Sequence, residues 1–378
     1  MDKFLAFAHS AQPALVAFLR ELVECESPSA DPEAISRFVE LFSDRTRDIA
    51  DFKLVRSKTY GPHLLVNFKL PGKKKSGRVL ALGHSDTVYP RGILRSMPWR
   101  EHDGRYWGPG VLDMKSGLAF FVFAMRALRE LGIPVARQVT LQLNSEEEIG
   151  SPSSRELSEK NARTANAVLV LEPGTGLAGK LKTARKGVGV YHLDVHGIAS
   201  HAGVDFTAGA SAILELARQL ERIAGFTDLK KALTVNPGVI SGGTRSNVIA
   251  EHASAEIDIR IARLRDAATL DKKFRALKPV DKRCRLSLSG GLNRPPMERT
   301  PAIAALFQQA QALARDLGID LEESSTGGGS DGNFTAPFAP TLDGLGGVCE
   351  SAHAPTESIL IDRIADRTAL LAKLVATI

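Results

Sequence analysis

Apolar residues are arranged along the chain in two different patterns. In the first, they form short and nearly continuous runs: "GRVLALGH" closes on His84, "VTLQLN" closes on three glutamates, and "AVLVLEPG" closes on Glu172. Runs of this length without polar alternation predict strands covered on both faces. Between the first two lies "VLDMKSGLAFFVFAMRALREL", which predicts a long buried helix starting near Met114. An amphipathic helix at the start of the chain, a polar helical stretch from Ser153, the segments "IDLEESSTGGGSDG" and "PTLDGLGG", and a closing helix from Glu357 complete the alternation. Strands alternating with helices predict an α/β fold with a largely parallel central sheet flanked by helices.

The second pattern runs from about Lys182 to Gly291. There "KGVGVYHLDVHGIA" and "HASAEIDIRIA" alternate apolar with polar residues, "GASAILELARQLERI" has helical spacing between them, and "RLSLSGG" ends the stretch. Strict alternation predicts a sheet with one face free of helices. The expectation is an inserted, smaller α+β domain over 182–291, with 1–181 and 292–378 forming one larger domain. A chain of 378 residues exceeds the size at which one core usually keeps growing, which favours the same division.

Composition removes several classes of function. The formal net charge of +6 is spread over short clusters such as "KKK" at Lys73, with no aromatic residues interleaved, so no nucleic-acid partner is expected. No apolar run is long enough for a membrane span, and the first residues lack the basic start, unbroken apolar stretch and small-residue cleavage site of a secretory signal. Cys25, Cys284 and Cys349 are too few and too scattered for a disulfide framework, so a reducing cytoplasm is expected.

The chemistry-bearing residues gather where elements end. His84, Asp113, Glu148, Glu172 and His353 all stand at strand or loop ends, the places where a wound sheet binds ligands. A mixed set of imidazoles and carboxylates suits zinc, with cobalt or manganese as alternatives. Glu146, Glu147 and Glu148 in "NSEEEIGS" would repel one another unless cation charge offsets them. Two further carboxylates have separate tasks open to them. Asp86, two residues after His84, is placed to accept a hydrogen bond from the imidazole nitrogen that does not face a metal, and Glu147 is placed to hold a water and move its proton.

Substrate-holding groups are sought among Asn247, Arg260, Arg294 and the backbone of Gly328, Gly329 and Ser330. Arg294 in "GLNRPPM" suits a substrate carboxylate because a guanidinium matches it with two parallel hydrogen bonds, while Arg260 serves equally well as a structural ion-pair partner. The loop "GGGSDG" reads as a nest of amide donors. A rival reading takes Gly328, Ser330 and Gly332 as a serine-hydrolase elbow, with Asp343 and His353 following in chain order. That reading leaves the acidic motifs unexplained, and a catalytically silent metal-binding protein leaves Asp86 and Glu147 unexplained.

Taken together and in order, "GHSDTVYPRG", "WGPGVLDMKSG", "NSEEEIGS", "LEPG", "HGIASHAG", "SNVIAEHASAEIDIR", "GGGSDG" and "ESAHAPTE" resemble the dinuclear zinc aminoacylase and glutamate-carboxypeptidase family. The resemblance implies two zinc ions per chain, with Asp113 bridging them, His84 and Glu172 completing one site, and Glu148 and His353 the other. It implies Glu147 as general acid and base, an inserted domain that mediates homodimerisation, and His201 as a donor reaching the reacting carbonyl from a partner subunit. An imidazole aimed at a developing oxyanion stabilises charge that the ground state lacks. The reaction implied is hydrolysis of an amide bond next to a residue with a free α-carboxylate, in a small peptide or N-acyl amino acid. Similarity of "HSDTVYPRGIL" and "WGPGVLDMKSG" to carboxypeptidase G-type enzymes puts glutamate release first and N-acyl-amino-acid deacylation second.

Overall fold

Two helices open the chain, α1 (Lys3–Glu24) and α2 (Pro32–Thr46). Each starts at an aspartate that caps it, Asp2 accepting from the amides of Phe4 and Leu5 and Asp31 from that of Ala34. There follow the strands β1 (Ala50–Val55), β2 (His63–Phe68), β3 (Arg78–His84), β4 (Arg100–His102) and β5 (Arg105–Trp107), then α3 (Ser116–Glu130), β6 (Gln138–Asn144), α4 (Arg155–Ala162), β7 (Ala167–Val170) and β8 (Leu181–Arg185). The middle of the chain supplies β9 (Gly187–His196), α5 (Ala212–Ala224), β10 (Thr234–Gly242), β11 (His252–Ile261), α6 (Leu264–Arg275) and β12 (Arg285–Arg294). Last come α7 (Pro301–Arg315), β13 (Glu323–Thr326), α8 (Gly332–Thr335), β14 (Thr341–Leu342), β15 (Ser358–Leu360) and α9 (Ile364–Thr377). The computed structural model describes residues 2–378. Its contacts divide the chain into two units, one of Met1–Ala184, Arg299–Ser325 and Ser330–Ile378, the other of Arg185–Glu298 and Thr326–Gly329.

In the larger unit the sheet order is β1-β2-β6-β3-β7-β14. The pairings β6–β3, β3–β7 and β7–β14 are parallel, and the β1–β2 hairpin adds an antiparallel edge. The unbroken apolar run of β3 follows from burial on both faces. Val79 and Ala81 join the core shared with α1, α3 and α9, while Leu80 and Leu82 join a smaller one with Ala162, Val168 and Val170. Because these strands are parallel and in register, with His84 opposite Asn144 and Leu82 opposite Val170, the segments that leave β3, β6 and β7 emerge along one edge.

Two helix starts lie later than the hydrophobic pattern predicts. α3 begins at Ser116 rather than Met114, because residues 111–115 form an irregular turn in which Asp113 has non-helical φ −115° and ψ 96°. The amides of Leu112 and Asp113 point at the Glu357 carboxylate instead of at helix carbonyls. The closing helix begins at Ile364, since Ser358–Leu360 first pairs with β5.

The smaller unit is an antiparallel sheet, β10-β11-β9-β12, with α5 and α6 against one face. Tyr191, Leu193 and Val195 of β9 are buried on that face, and Val190, His192 and Asp194 are exposed on the other. The unit starts at Arg185 and ends at Glu298 rather than at 182 and 291, because β12 continues to Arg294 through a register shift. It also contains the separate short segment Thr326–Gly329.

Gly117, in the first turn of α3, lies against the strand end that leads to Glu172. A Cβ there would stand 2.0 Å from the Leu171 carbonyl oxygen, a backbone atom with no rotamer to yield. Gly117→Ala should therefore lower stability to urea by about 1–3 kcal/mol, the range for overpacking a filled interior. Unfolding midpoints indistinguishable from wild type would show that α3 and β7 are less tightly apposed than described.

Candidate active site

His84 ends β3 and is 1% exposed. Its Nδ1 lies 2.9 Å from the Asp86 carbonyl oxygen, and a carbonyl only accepts, so Nδ1 donates. That fixes the neutral tautomer and turns the lone pair of Nε2 toward Asp113 Oδ1 at 3.1 Å and Glu172 Oε1 at 3.6 Å. On the other side His353 Nε2 lies 3.2 Å from Asp113 Oδ2 and 3.1 Å from Glu148 Oε1. Each oxygen of Asp113 thus faces a different histidine.

His84–Asp113–Glu172 and Asp113–Glu148–His353 are two groups whose ligand atoms lie within 4.8 Å of one another, with Asp113 common to both. Burial works against protonation of His84, yet Asp113, Asp86 and Glu172 raise its proton affinity well above the ordinary value. The carboxylates of Asp113 and Glu148 push His353 up to about 11. Burial opposes ionisation of Asp113, but His353 and His84 hold its carboxyl well below the usual carboxylate range. Two imidazoles and three carboxylates converge here, and positive charge, from ring protons or from bound cations, offsets the carboxylates at close range. The donor set therefore fits two divalent cations.

The supporting hydrogen bonds differ in part from expectation. Asp86 was expected to orient His84 through its carboxylate. In the structure His84 Nδ1 lies 2.9 Å from the Asp86 backbone carbonyl and 3.4 Å from its carboxylate. The carboxylate also accepts from Ser29 Oγ at 2.7 Å and from the amides of Glu147 and Glu148, both at 3.2 Å, pinning the 3₁₀ turn that carries them. Of the three glutamates, Glu146 is fully buried and turns inward, accepting from the amides of Ser153 at 2.9 Å and Ser154 at 2.7 Å.

Glu357 is a supporting residue the sequence pattern missed, having been read only as a helix start. It is fully buried and accepts from the amides of Leu112 at 2.8 Å, Asp113 at 2.9 Å and Gly110 at 3.1 Å, and from the Tyr89 hydroxyl at 2.6 Å. A carboxylate four residues after His353 is the sequence signal that could have found it. Gly110 tolerates the tight turn with φ +72°, and a Cβ there would meet Thr87 Cγ2 at 2.6 Å.

Glu147 lies beside Glu148 in the pinned turn and is 9% exposed. The structure groups His201, Asn247, Arg260, Arg294, Gly328 and Gly329 in the smaller unit and Ser330 in the larger. His201 is exposed, and the Gly203 amide donates to its Nδ1 at 3.1 Å, so Nε2 carries the proton of the neutral ring. Asn247 is exposed, its backbone carbonyl accepting from the Ala202 amide. Arg294 is 5% exposed. Arg260 holds Asp258 through three hydrogen bonds of 2.9–3.2 Å and donates to the Gly327 carbonyl at 3.2 Å, which realises its ion-pair reading. Two amides of the glycine loop are engaged locally, Gly328 with Thr326 Oγ1 at 3.3 Å and Ser330 with Asn333 Oδ1 at 2.8 Å.

The serine-hydrolase alternative lacks its base. Ser330 is fully buried and its hydroxyl donates to Asp343 Oδ2 at 2.7 Å, while His353 faces Asp113 and Glu148. No histidine is hydrogen-bonded to Ser330 among the described residues.

Residues 80–377 match the model of peptidase family M20/M25/M40. Carboxypeptidase G2 of a Pseudomonas strain is 31% identical over 349 residues, which is 90% of this chain and 83% of the relative. Among solved structures, aminopeptidase PepT from Bacillus cereus superposes with a TM-score of 0.81 at 21% identity, over 97% of this chain and 98% of that one. The YXEP protein of Bacillus subtilis, a dinuclear metal-binding peptidase, superposes with a TM-score of 0.70 at 12% identity, over 97% and 98% of the two chains. At those identities the structures establish a shared fold, whereas the family match and the Pseudomonas relative reach further: the chain belongs to peptidase family M20/M25/M40 and is a hydrolytic enzyme.

Proposed function

We propose that the protein is a cytoplasmic, homodimeric, two-zinc hydrolase that releases an amino acid with a free α-carboxylate, glutamate first, from an amide-linked acyl group. The observation that carries this reading is the pair of histidine–carboxylate groups sharing Asp113, with Glu147 on the turn that also presents Glu148. His84, Asp113 and Glu172 would hold one ion, and Asp113, Glu148 and His353 the other. Zinc suits this donor set, with cobalt or manganese able to replace it. When bound, the metals supply Lewis acidity at the scissile carbonyl.

The chain's own residues supply the remaining chemistry. Glu147 takes a proton from the attacking water and delivers it to the departing amide nitrogen, acting first as base and then as acid. Nε2–H of His201, oriented by the Gly203 amide, donates to the developing oxyanion. Arg294 pairs with the substrate α-carboxylate. The similarity to Carboxypeptidase G2 favours glutamate release over N-acyl-amino-acid deacylation. The cytoplasmic assignment draws on three free cysteines, and among the described residues no helix is long and apolar enough to cross a membrane.

Dimerisation is supported by the edge of the smaller unit's sheet. Val239 and Ile240 on edge strand β10 are 56% and 65% exposed, and Ile213 and Leu214 on α5 are 45% and 56% exposed. Ile213 and Ile240 line a groove of about 310 Å³. An apolar, unpaired edge strand is a surface that invites pairing with another copy.

A chelator should abolish amide hydrolysis and added zinc should restore it. Glu147→Gln should keep its metal yet lose about 10²–10⁴-fold in kcat, the range for removing general acid–base catalysis. Near-wild-type turnover in metal-loaded Glu147→Gln would assign the proton transfer elsewhere. Substrate class is read by blocking the carboxylate: Arg294→Ala should damage hydrolysis of N-benzoylglutamate far more than that of its α-amide. Equal losses on both would leave Arg294 a structural role only. Better turnover of N-acetyl amino acids than of benzoyl- or folyl-glutamate would favour the deacylase. For His201, mixed dimers of His201→Ala and Glu147→Gln chains should regain activity, since one site then contains both groups. Verified heterodimers that stay inactive would confine His201 to its own chain or remove it from the reaction.

A further inference from the structure

The Gly327–Gly328–Gly329 loop has all three of its carbonyls taken by arginines. Arg260 Nη1 donates to Gly327 O at 3.2 Å, and Arg185 Nη1 donates to Gly328 O at 3.3 Å and Gly329 O at 3.1 Å. Arg185 was not among the residues the sequence singled out. It is 5% exposed, and its backbone is fixed as firmly as its side chain. Its N–H and C=O exchange hydrogen bonds of 3.0 Å with Met297, and the next amide, of Lys186, donates to Thr326 O at 3.0 Å.

In a planar trans peptide the carbonyl and the following N–H point in opposite directions. Drawing Gly328 O toward Arg185 therefore turns the Gly329 N–H away from it. The neighbouring donors are engaged, Gly328 N–H by Thr326 Oγ1 and Ser330 N–H by Asn333 Oδ1. The Gly329 N–H has no acceptor among the described residues. A side chain at 329 is excluded by the same neighbourhood, because a Cβ would stand 2.8 Å from Arg294 Cδ and 3.0 Å from Val188 Cγ2. The stem of the proposed carboxylate-binding arginine and an unpaired amide donor thus meet at one residue.

We infer that Arg185 is a positioning residue for carboxylate recognition: it holds the Gly328 and Gly329 carbonyls so that the Gly329 N–H, beside Arg294, is presented to the substrate's α-carboxylate. The inference rests on the reading above in which Arg294 and this loop take that carboxylate. Arg185 holds the Gly328 and Gly329 carbonyl oxygens, and through them its loss acts on the loop. Arg260 assists at Gly327 with a guanidinium already held by Asp258, and Arg185 serves the peptide that carries the presented amide and the peptide after it.

The test uses the metal-loaded, full-length enzyme with N-benzoylglutamate and its α-amide. Arg185→Gln should raise KM for the free acid by roughly tenfold while kcat stays within about threefold, a loss of ground-state binding rather than of chemistry. The preference for acid over amide should shrink accordingly, and Arg185→Lys, which keeps a cationic donor, should recover part of both. A wild-type KM and acid preference in Arg185→Gln, or a fall in kcat at constant KM, would overturn the inference. Should Arg185→Gln fail to fold, the Gly329 amide resonance of the wild-type enzyme still decides. It should shift on addition of free glutamate, and no shift at saturation overturns the proposal. Arg294→Ala run in parallel separates the two levels. If it leaves the acid preference intact the carboxylate reading itself fails, whereas a lost preference in Arg294→Ala with none in Arg185→Gln removes only Arg185.

Discussion

The rest of the site depends on one carboxylate being asked to serve two sides. Asp113 presents Oδ1 to His84 and Oδ2 to His353, and each histidine has a second carboxylate within reach, Glu172 and Glu148 respectively. For one side chain to do this it must stand between two strand ends, which a regular helix start does not allow. The irregular turn at 111–115 is the solution, and Glu357 stabilises it by accepting from two of its amides, of Leu112 and Asp113, and from that of Gly110 just before it. Without that acceptor those amides would be buried donors lacking a partner, each at a cost of roughly 1–3 kcal/mol.

The same logic distributes acidic residues around the site. Asp86 anchors the Glu147–Glu148 turn, Glu146 caps the following Ser153–Ser154 segment, and Glu357 anchors the Asp113 turn. Each is buried and satisfied by N–H and O–H donors, so a layer of carboxyl groups holds the ligand-bearing turns from behind.

What the sequence revealed followed from how each residue's environment shows itself locally. β3 and β7 were legible because burial on both faces leaves an unbroken apolar signature, and β9 because burial on one face leaves an alternating one. The ligand types stood out because histidine and carboxylate are unusual at the ends of such runs. The start of α3 was misplaced because the partner that unwinds its first residues, Glu357, is more than 240 positions away. Asp86 reaches the expected imidazole nitrogen with its backbone carbonyl at 2.9 Å as well as with its carboxylate at 3.4 Å, a sharing that spacing alone cannot show. Arg185 gave no signal at all, because the Gly328 and Gly329 carbonyls that it holds are backbone groups, which every residue possesses.

The most direct measurement of the central claim is the metal content of purified protein with single ligands removed. If Asp113 is shared, wild-type chains should carry two ions, His353→Ala chains should keep the ion of the His84–Asp113–Glu172 group, and Asp113→Ala chains should lose both. Asp113→Ala protein that still binds two ions, or active wild-type protein without transition metal, would contradict the account.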